Sequence, residues 1–285
     1  MKRFLIACCA LIGVSGCSGI GVLNAVAVKT GPIERDVAYG DLPRQKLDVY
    51  SPKTMTDQTP VLVFYHGGSW QYGTKDEYRF LGDALSDAGI QTVVVNYRLY
   101  PEVIFPAFVE DAAKALAYTK AKIAGERPVF IAGHSAGAHI AAMVALDPRF
   151  LSAESSSICA TTKGVIGLAG PYDFTPVEPQ FKAIFPAEIL PSTKPINFTT
   201  STAPPFLLLH GAKDNTVPLA RSIDLAKALR AHGNQAVVME YQGVDHNYIV
   251  GALSPLIRKS APTLRDITNF IAEQKAQGYP GCGPR

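Results

Sequence analysis

Gly133-His134-Ser135-Ala136-Gly137 sets a serine between two glycines. The apolar run at 128–132 before it suits a buried strand, and the alanine-rich run at 138–146 after it suits a buried helix. A serine on a sharp strand-to-helix turn is held in a strained backbone conformation, so its neighbours must carry no side chain that collides. Glycines two before and two after meet that need. The same turn puts Ser135 at a helix N-terminus, where free N–H groups and the dipole favour developing negative charge. The chemistry such a nucleophile elbow performs is acyl transfer.

That chemistry needs a base, a group to orient the base and an oxyanion hole. Of six histidines, His232 follows a helix with no strand before it. His134 and His139 sit too near Ser135 in sequence to face its Oγ. His66 and His210 each end a strand and open a glycine turn, as structural histidines do. His246 follows the last strand in a loop and completes the order Ser, acid, His. Asp214, in the loop after the strand at 205–209, suits the acid. Asp245 adjoins His246 too closely to turn onto Nδ1, Glu240 points from a strand, and Asp173 lies in an irregular segment. The oxyanion donors expected are the N–H of Ala136 and of Gly67 or Gly68 in His66-Gly67-Gly68-Ser69-Trp70, with both glycines open. Trp70 and His134 are candidates to line the pocket; Trp70 serves equally as packing beneath the loop.

The elements that must position these residues alternate. Residues 33–39 and 46–50 read as an antiparallel hairpin at a sheet edge. Strands follow at 60–65, 91–96, 129–132, 164–169, 205–209 and 236–241. Helices fall at 77–88, 106–124, after Ser135, at 219–231 and at 260–275. This alternation predicts an α/β fold, a mostly parallel sheet covered by helices on both faces. Ligands of such sheets bind at the carboxyl ends of the strands, where all the motifs fall. Residues 171–204 interrupt the pattern with prolines and aromatics; a loop this long reads as a small cap over the site or as a surface excursion.

The 285 residues allow one large domain, and 47% hydrophobic against 18% charged residues describes a folded globular protein. The net charge of +3, to which Lys2 and Arg3 contribute two, excludes nucleic acid as the expected partner. Residues 1–16 have a basic start and an apolar stretch too short to span a bilayer. Val14-Ser15-Gly16-Cys17 resembles the lipobox of bacterial lipoproteins. That resemblance implies cleavage before Cys17, its diacylation and, with Ser18 next, an outer-membrane address facing the periplasm. An ordinary secreted or periplasmic protein is the alternative. Residues 17–32 then read as a tether, 33–277 as the domain and 278–285 as a tail. Cys159 and Cys282 remain as either a disulfide or two free thiols.

Together G-H-S-A-G, H-G-G-S-W, H-G-A-K-D and G-V-D-H resemble the α/β-hydrolase superfamily over about residues 33–277. Leu47-Asp48-Val49-Tyr50-Ser51-Pro52 and Asn96-Tyr97-Arg98-Leu99 look like its esterase branch, near hormone-sensitive lipase, feruloyl and acetyl-xylan-type esterases and kynurenine-formamidase-like enzymes. The resemblance implies a Ser135–Asp214–His246 carboxylic ester hydrolase without metal or organic cofactor. H-G-G-S for H-G-G-G and G-H-S for G-D-S turn the expectation toward the formamidase and feruloyl-esterase neighbours. The expected substrate is a short-acyl or aryl ester. An arylformamidase-like amide hydrolase and a non-catalytic envelope binding lipoprotein are the rival readings.

Overall fold

The computed structural model describes residues 23–24, 31–200 and 202–277. Eight strands form one sheet in the order β1-β2-β4-β3-β5-β6-β7-β8. They are β1 (Ile33–Ala38), β2 (Lys46–Tyr50), β3 (Val61–Tyr65), β4 (Gln91–Val95), β5 (Val129–His134), β6 (Val165–Leu168), β7 (Phe206–Gly211) and β8 (Ala236–Tyr241). β2 runs antiparallel to β1 and β4; every other pairing is parallel. β3 and β5 are buried along their whole length, as their unbroken apolar sequences require.

Successive residues of a strand face opposite sides, and two cores result. Val61, Val63 and Tyr65 pack with α2 (Ala107–Tyr118), α3 (Ala136–Leu146) and α4 (Ala220–Ala231) on one side. Leu62 and Phe64 pack with α1 (Arg79–Asp87) and α5 (Thr263–Ala276) on the other. α3 is buried all round, which explains why its sequence carries no polar face. Two expected helices begin or end differently. A 3₁₀ turn, Lys75–Tyr78, precedes α1, and α2 gives way to a wider π turn over Thr119–Ala124.

Register sets the site. Tyr65 lies beside Gly133, so the loop leaving β3 emerges next to the turn leaving β5. Beyond β7 and β8, Ala212 N–H donates to the Tyr241 carbonyl and Lys213 N–H to that of Val244, each at 2.9 Å. These bonds lace together the loops that carry Asp214 and His246. The far end of the β3 loop is pinned by Lys75. Its buried ammonium lies 2.9 Å from Asp48 on β2, 3.0 Å from Asp36 and 3.1 Å from Asp76. A buried charge so held is costly to release.

The tether expected over 17–32 is corrected at Leu23 and Asn24. Leu23 is buried in the core beneath α1 and α5. Asn24 accepts from the Phe80 N–H at 3.0 Å and donates to the Asp76 carbonyl at 2.7 Å. An apolar side chain and a cap for a free helix N–H hold this segment to the body. Signal residues 1–16, Cys17 and the 278–285 tail lie outside the described residues. Cys159 is disulfide-bonded; Cys282, with which a disulfide is one of two open readings, also lies outside them. Among the described residues no helix is long and apolar enough to cross a membrane.

Candidate active site

β5 ends at His134 and α3 begins at Ala136, leaving Ser135 alone on the turn at φ 54° and ψ −120°. That is a left-handed conformation which non-glycine residues seldom hold. Its N–H donates to the Leu168 carbonyl at 2.9 Å, and its carbonyl accepts from Ala138 and His139. With the backbone so engaged, the side chain stands clear. Cβ atoms at Gly133 and Gly137 would meet backbone carbonyl oxygens at 2.1 and 2.0 Å, so neither position has room for one.

His246 Nε2 lies 2.9 Å from Ser135 Oγ, and its Nδ1 lies 2.7 Å from Asp214 Oδ2. The other oxygen of Asp214 accepts the N–H groups of Thr216 at 2.9 Å and Val217 at 2.8 Å. Burial alone would raise the Asp214 carboxyl. Hydrogen bonds from His210, His246 and Val217 outweigh it and hold the group well below the usual carboxylate range. An ionised Asp214 fixes the Nδ1–H tautomer, which leaves Nε2 as the acceptor facing Oγ. The arrangement can draw the hydroxyl proton onto His246 and stabilise the resulting imidazolium.

The rival acids are engaged elsewhere. Asp245 accepts the N–H groups of Asn247 and Tyr248 at 3.0 and 2.9 Å. Glu240 accepts from the Gln242 amide, and Asp173 pairs with Lys194. His210 enters the site indirectly: its Nε2 stands 3.3 Å from Asp214 Oδ2, and its Nδ1 is 2.7 Å from Ser222 Oγ. Sequence reasoning set it aside as structural. The signal was its place four residues before Asp214 in H-G-A-K-D.

Two expectations are corrected. His134 does not line the cavity: its buried ring turns away, with Nε2 2.9 Å from the His246 carbonyl oxygen. Burial, with His246 close by, pushes it down to about 3, so it is neutral and donates through Nε2–H. Gly67 is not a free donor, because its N–H is taken by the Tyr78 hydroxyl at 3.1 Å. The N–H groups of Gly68, Ser69 and Ala136 meet no acceptor among the described residues. Ser69 was missed, since its left-handed backbone, φ 54°, is not expected of a serine.

A cavity of about 500 Å³ opens beside Ser135, with Ser69, Trp70 and Ala136 in its wall. The 171–204 segment contributes Phe174 and Phe181. Trp70 lines the cavity, and its ring packs on Phe174 at 5.4 Å and edge-on to Phe185 at 4.7 Å. His139 ties this segment to α3, its Nε2 being 2.7 Å from the Thr193 carbonyl oxygen. A separate cavity of about 340 Å³, walled by Phe105, Arg149 and Ile189, touches none of the three hydrogen-bonded residues.

Residues 47–229 match the BD-FAE family, well over half of the chain. This chain belongs to the BD-FAE family. Esterase LipC of Mycobacterium tuberculosis is 31% identical over 265 residues, covering 83% of this chain and 64% of that protein. Probable isoprenylcysteine alpha-carbonyl methylesterase ICMEL1 of Arabidopsis thaliana is 30% identical, covering 75% of this chain and 51% of that protein. The chain thus spans between about half and two thirds of the length of these relatives. A solved structure of a truncated carbohydrate esterase from gut microbiota superposes with a TM-score of 0.75 at 22% identity, covering 87% of this chain and 98% of that one. The fold is the α/β-hydrolase fold.

Two predictions follow from this geometry in a BD-FAE member. His134 braces the backbone of His246, so a positioning role for it is expected. His134→Ala is expected to lower kcat on p-nitrophenyl acetate about tenfold, in line with small misplacements of reacting groups, with KM changed less than about twofold. His134→Gln, which keeps a donor, is expected to recover most of the loss. Equal rates in all three proteins would remove the role.

The second concerns stability. Burial holds His66 near 3, His134 near 3 and His139 near 4, against 6.5 for an ordinary histidine. The unfolded chain then binds protons that the native state does not. Stability is therefore complete above about pH 6.5 and declines as pH falls toward the native values. At about pH 5 the loss is on the order of 2 kcal/mol per histidine. Urea unfolding at about pH 7.5 and pH 5 measures it, and an unchanged midpoint would contradict neutral burial.

Proposed function

We propose that the chain is a serine carboxylic ester hydrolase acting through Ser135, His246 and Asp214 by way of an acyl-enzyme. The observation that carries this reading is the unbroken hydrogen-bond chain from Ser135 Oγ to His246 to Asp214 at the wall of an open cavity. The esterase names of its relatives support it. His246 Nε2 takes the Ser135 hydroxyl proton as Oγ bonds to the ester carbonyl carbon. The carbonyl oxygen becomes an oxyanion, received by the N–H of Ala136 with those of Gly68 and Ser69. Collapse breaks the bond to the alcohol oxygen, which leaves with the proton held on Nε2. Water then gives a proton to the same nitrogen and attacks the acyl carbon. The acid departs and Oγ recovers its proton.

The substrate inferred is a short-acyl or aryl ester, because the cavity is of modest size and walled by Trp70, Phe174 and Phe181. Wild-type protein is expected to turn over p-nitrophenyl acetate and butyrate faster than a long-chain ester. Ser135→Ala is expected to lose at least about a thousandfold, and to escape labelling by a fluorophosphonate that modifies the wild type. Turnover of an N-formyl anilide ahead of every ester would move the reading to amide hydrolysis. Failure of both turnover and labelling would return it to a binding lipoprotein.

The sequence at 1–17 supports an envelope lipoprotein anchored through diacylated Cys17, facing the periplasm from the outer membrane. Cells fed an alkynyl fatty acid are expected to label the wild type and not Cys17→Ala. Equal labelling, or none, would leave a secreted or periplasmic protein.

A further inference from the structure

The cavity beside Ser135 has an uneven charge. Among its described lining residues Glu178 is the one ionisable side chain; the rest are aromatic, aliphatic or neutral polar. Glu178 is exposed, its carboxylate accepting a hydrogen bond from the side-chain amide of Gln180. Among the described residues no cation stands within ion-pair distance of it. Nearby Asp173 differs, being paired with Lys194 at 2.9 Å and with Arg221 at 3.7 Å. One acidic charge in this region is thus neutralised by the protein itself, and the one on the cavity wall forms no ion pair among the described residues.

The same cavity is walled by Trp70, Phe174 and Phe181. Aromatic faces carry negative potential, and a desolvated cation over them is attracted without a strong hydrogen bond being required. Aromatic rings and an unpaired carboxylate around one space favour the same kind of guest. No lysine, arginine or histidine is among the described lining residues, so away from the N–H groups beside Ser135 a carboxylate-bearing substrate would find no counter-charge and would face Glu178. A quaternary ammonium, bulky, apolar on its surface and positively charged, meets both requirements.

We propose that this cavity is a subsite for esters bearing a cationic group, quaternary ammonium above all, with Glu178 as its charge-selecting residue and Trp70 and its aromatic neighbours as the wall. The assignment rests on the ester-hydrolase reading for its chemistry and on the cavity alone for its binding. Because Glu178 is exposed, its attraction falls with added salt.

Trp70 is the one tryptophan of the sequence, so its fluorescence reports on this wall directly. The full chain is titrated at constant ionic strength with choline and with its neutral carbon isostere, 3,3-dimethyl-1-butanol. Choline is expected to give a saturable change at about three- to fivefold lower concentration than the alcohol. Glu178→Gln is expected to close most of that gap, and Glu178→Lys to remove or reverse it. In parallel, kcat/KM is measured for butyrylthiocholine and for 3,3-dimethylbutyl thiobutyrate by release of thiol. The wild-type ratio is expected to favour the cationic ester about three- to fivefold and to fall toward one in Glu178→Gln. Turnover of the neutral thioester with no preference in either experiment would overturn the subsite and leave the esterase standing. A preference that survives both Glu178 variants would also overturn it. Saturable choline binding lost in the variants, with neither thioester nor p-nitrophenyl acetate turned over and no fluorophosphonate labelling, would support the subsite and refute the esterase.

Discussion

A Cβ at Gly133 would stand 2.1 Å from the Gly137 carbonyl oxygen, and a Cβ at Gly137 would stand 2.0 Å from that of Tyr65. The turn between β5 and α3 therefore closes against itself and against the end of β3. Its closeness drives Ser135 into a left-handed conformation and holds the start of α3 hard against the sheet. The loop after β3 is brought beside the serine by the same contact, since Tyr65 and His66 are the residues that Gly137 touches. The strain at one residue is stored in a site where α3 is wholly buried and cannot relax outward.

Charge is distributed around this turn with equal economy. Asp214 is kept ionised by the donors that surround it, while His66, His134 and His139 are kept neutral by burial. Each neutral ring has a carbonyl oxygen at hydrogen-bond distance from one nitrogen: Gly67 for His66, His246 for His134 and Thr193 for His139. His134 and His139 thereby act as neutral braces between segments distant in sequence, whereas the partner of His66 is its own neighbour. A second cation beside His246 would compete for Asp214, whose negative charge balances a protonated His246.

Much of the fold was legible in the residue pattern. Apolar runs of five or six residues between helical stretches predicted the parallel strands, and the alternating pair at 33–50 predicted the antiparallel edge. These patterns reflect local sterics and the need to bury both faces of a sheet. Helix ends were less legible. The 3₁₀ turn at Lys75–Tyr78 and the π turn at Thr119–Ala124 depend on what packs beside them. Leu23 and Asn24 read as tether because a short segment held by one core contact and one cap carries no periodic signal.

The candidate site divides in the same way. Sequence by itself determined the elbow, since the clash that demands Gly133 and Gly137 lies within and around one turn, and it ordered Ser135, Asp214 and His246 along the chain. Tertiary structure alone decided that their side chains meet, across 111 and 32 residues. It also engaged the Gly67 N–H with Tyr78, left those of Gly68 and Ser69 without an acceptor among the described residues, and set His134 against the His246 backbone. Hydrogen bonds and cavity walls are made between residues that only folding brings within about 3 Å of each other, and no spacing along a chain encodes which of two neighbouring N–H groups will find an acceptor first.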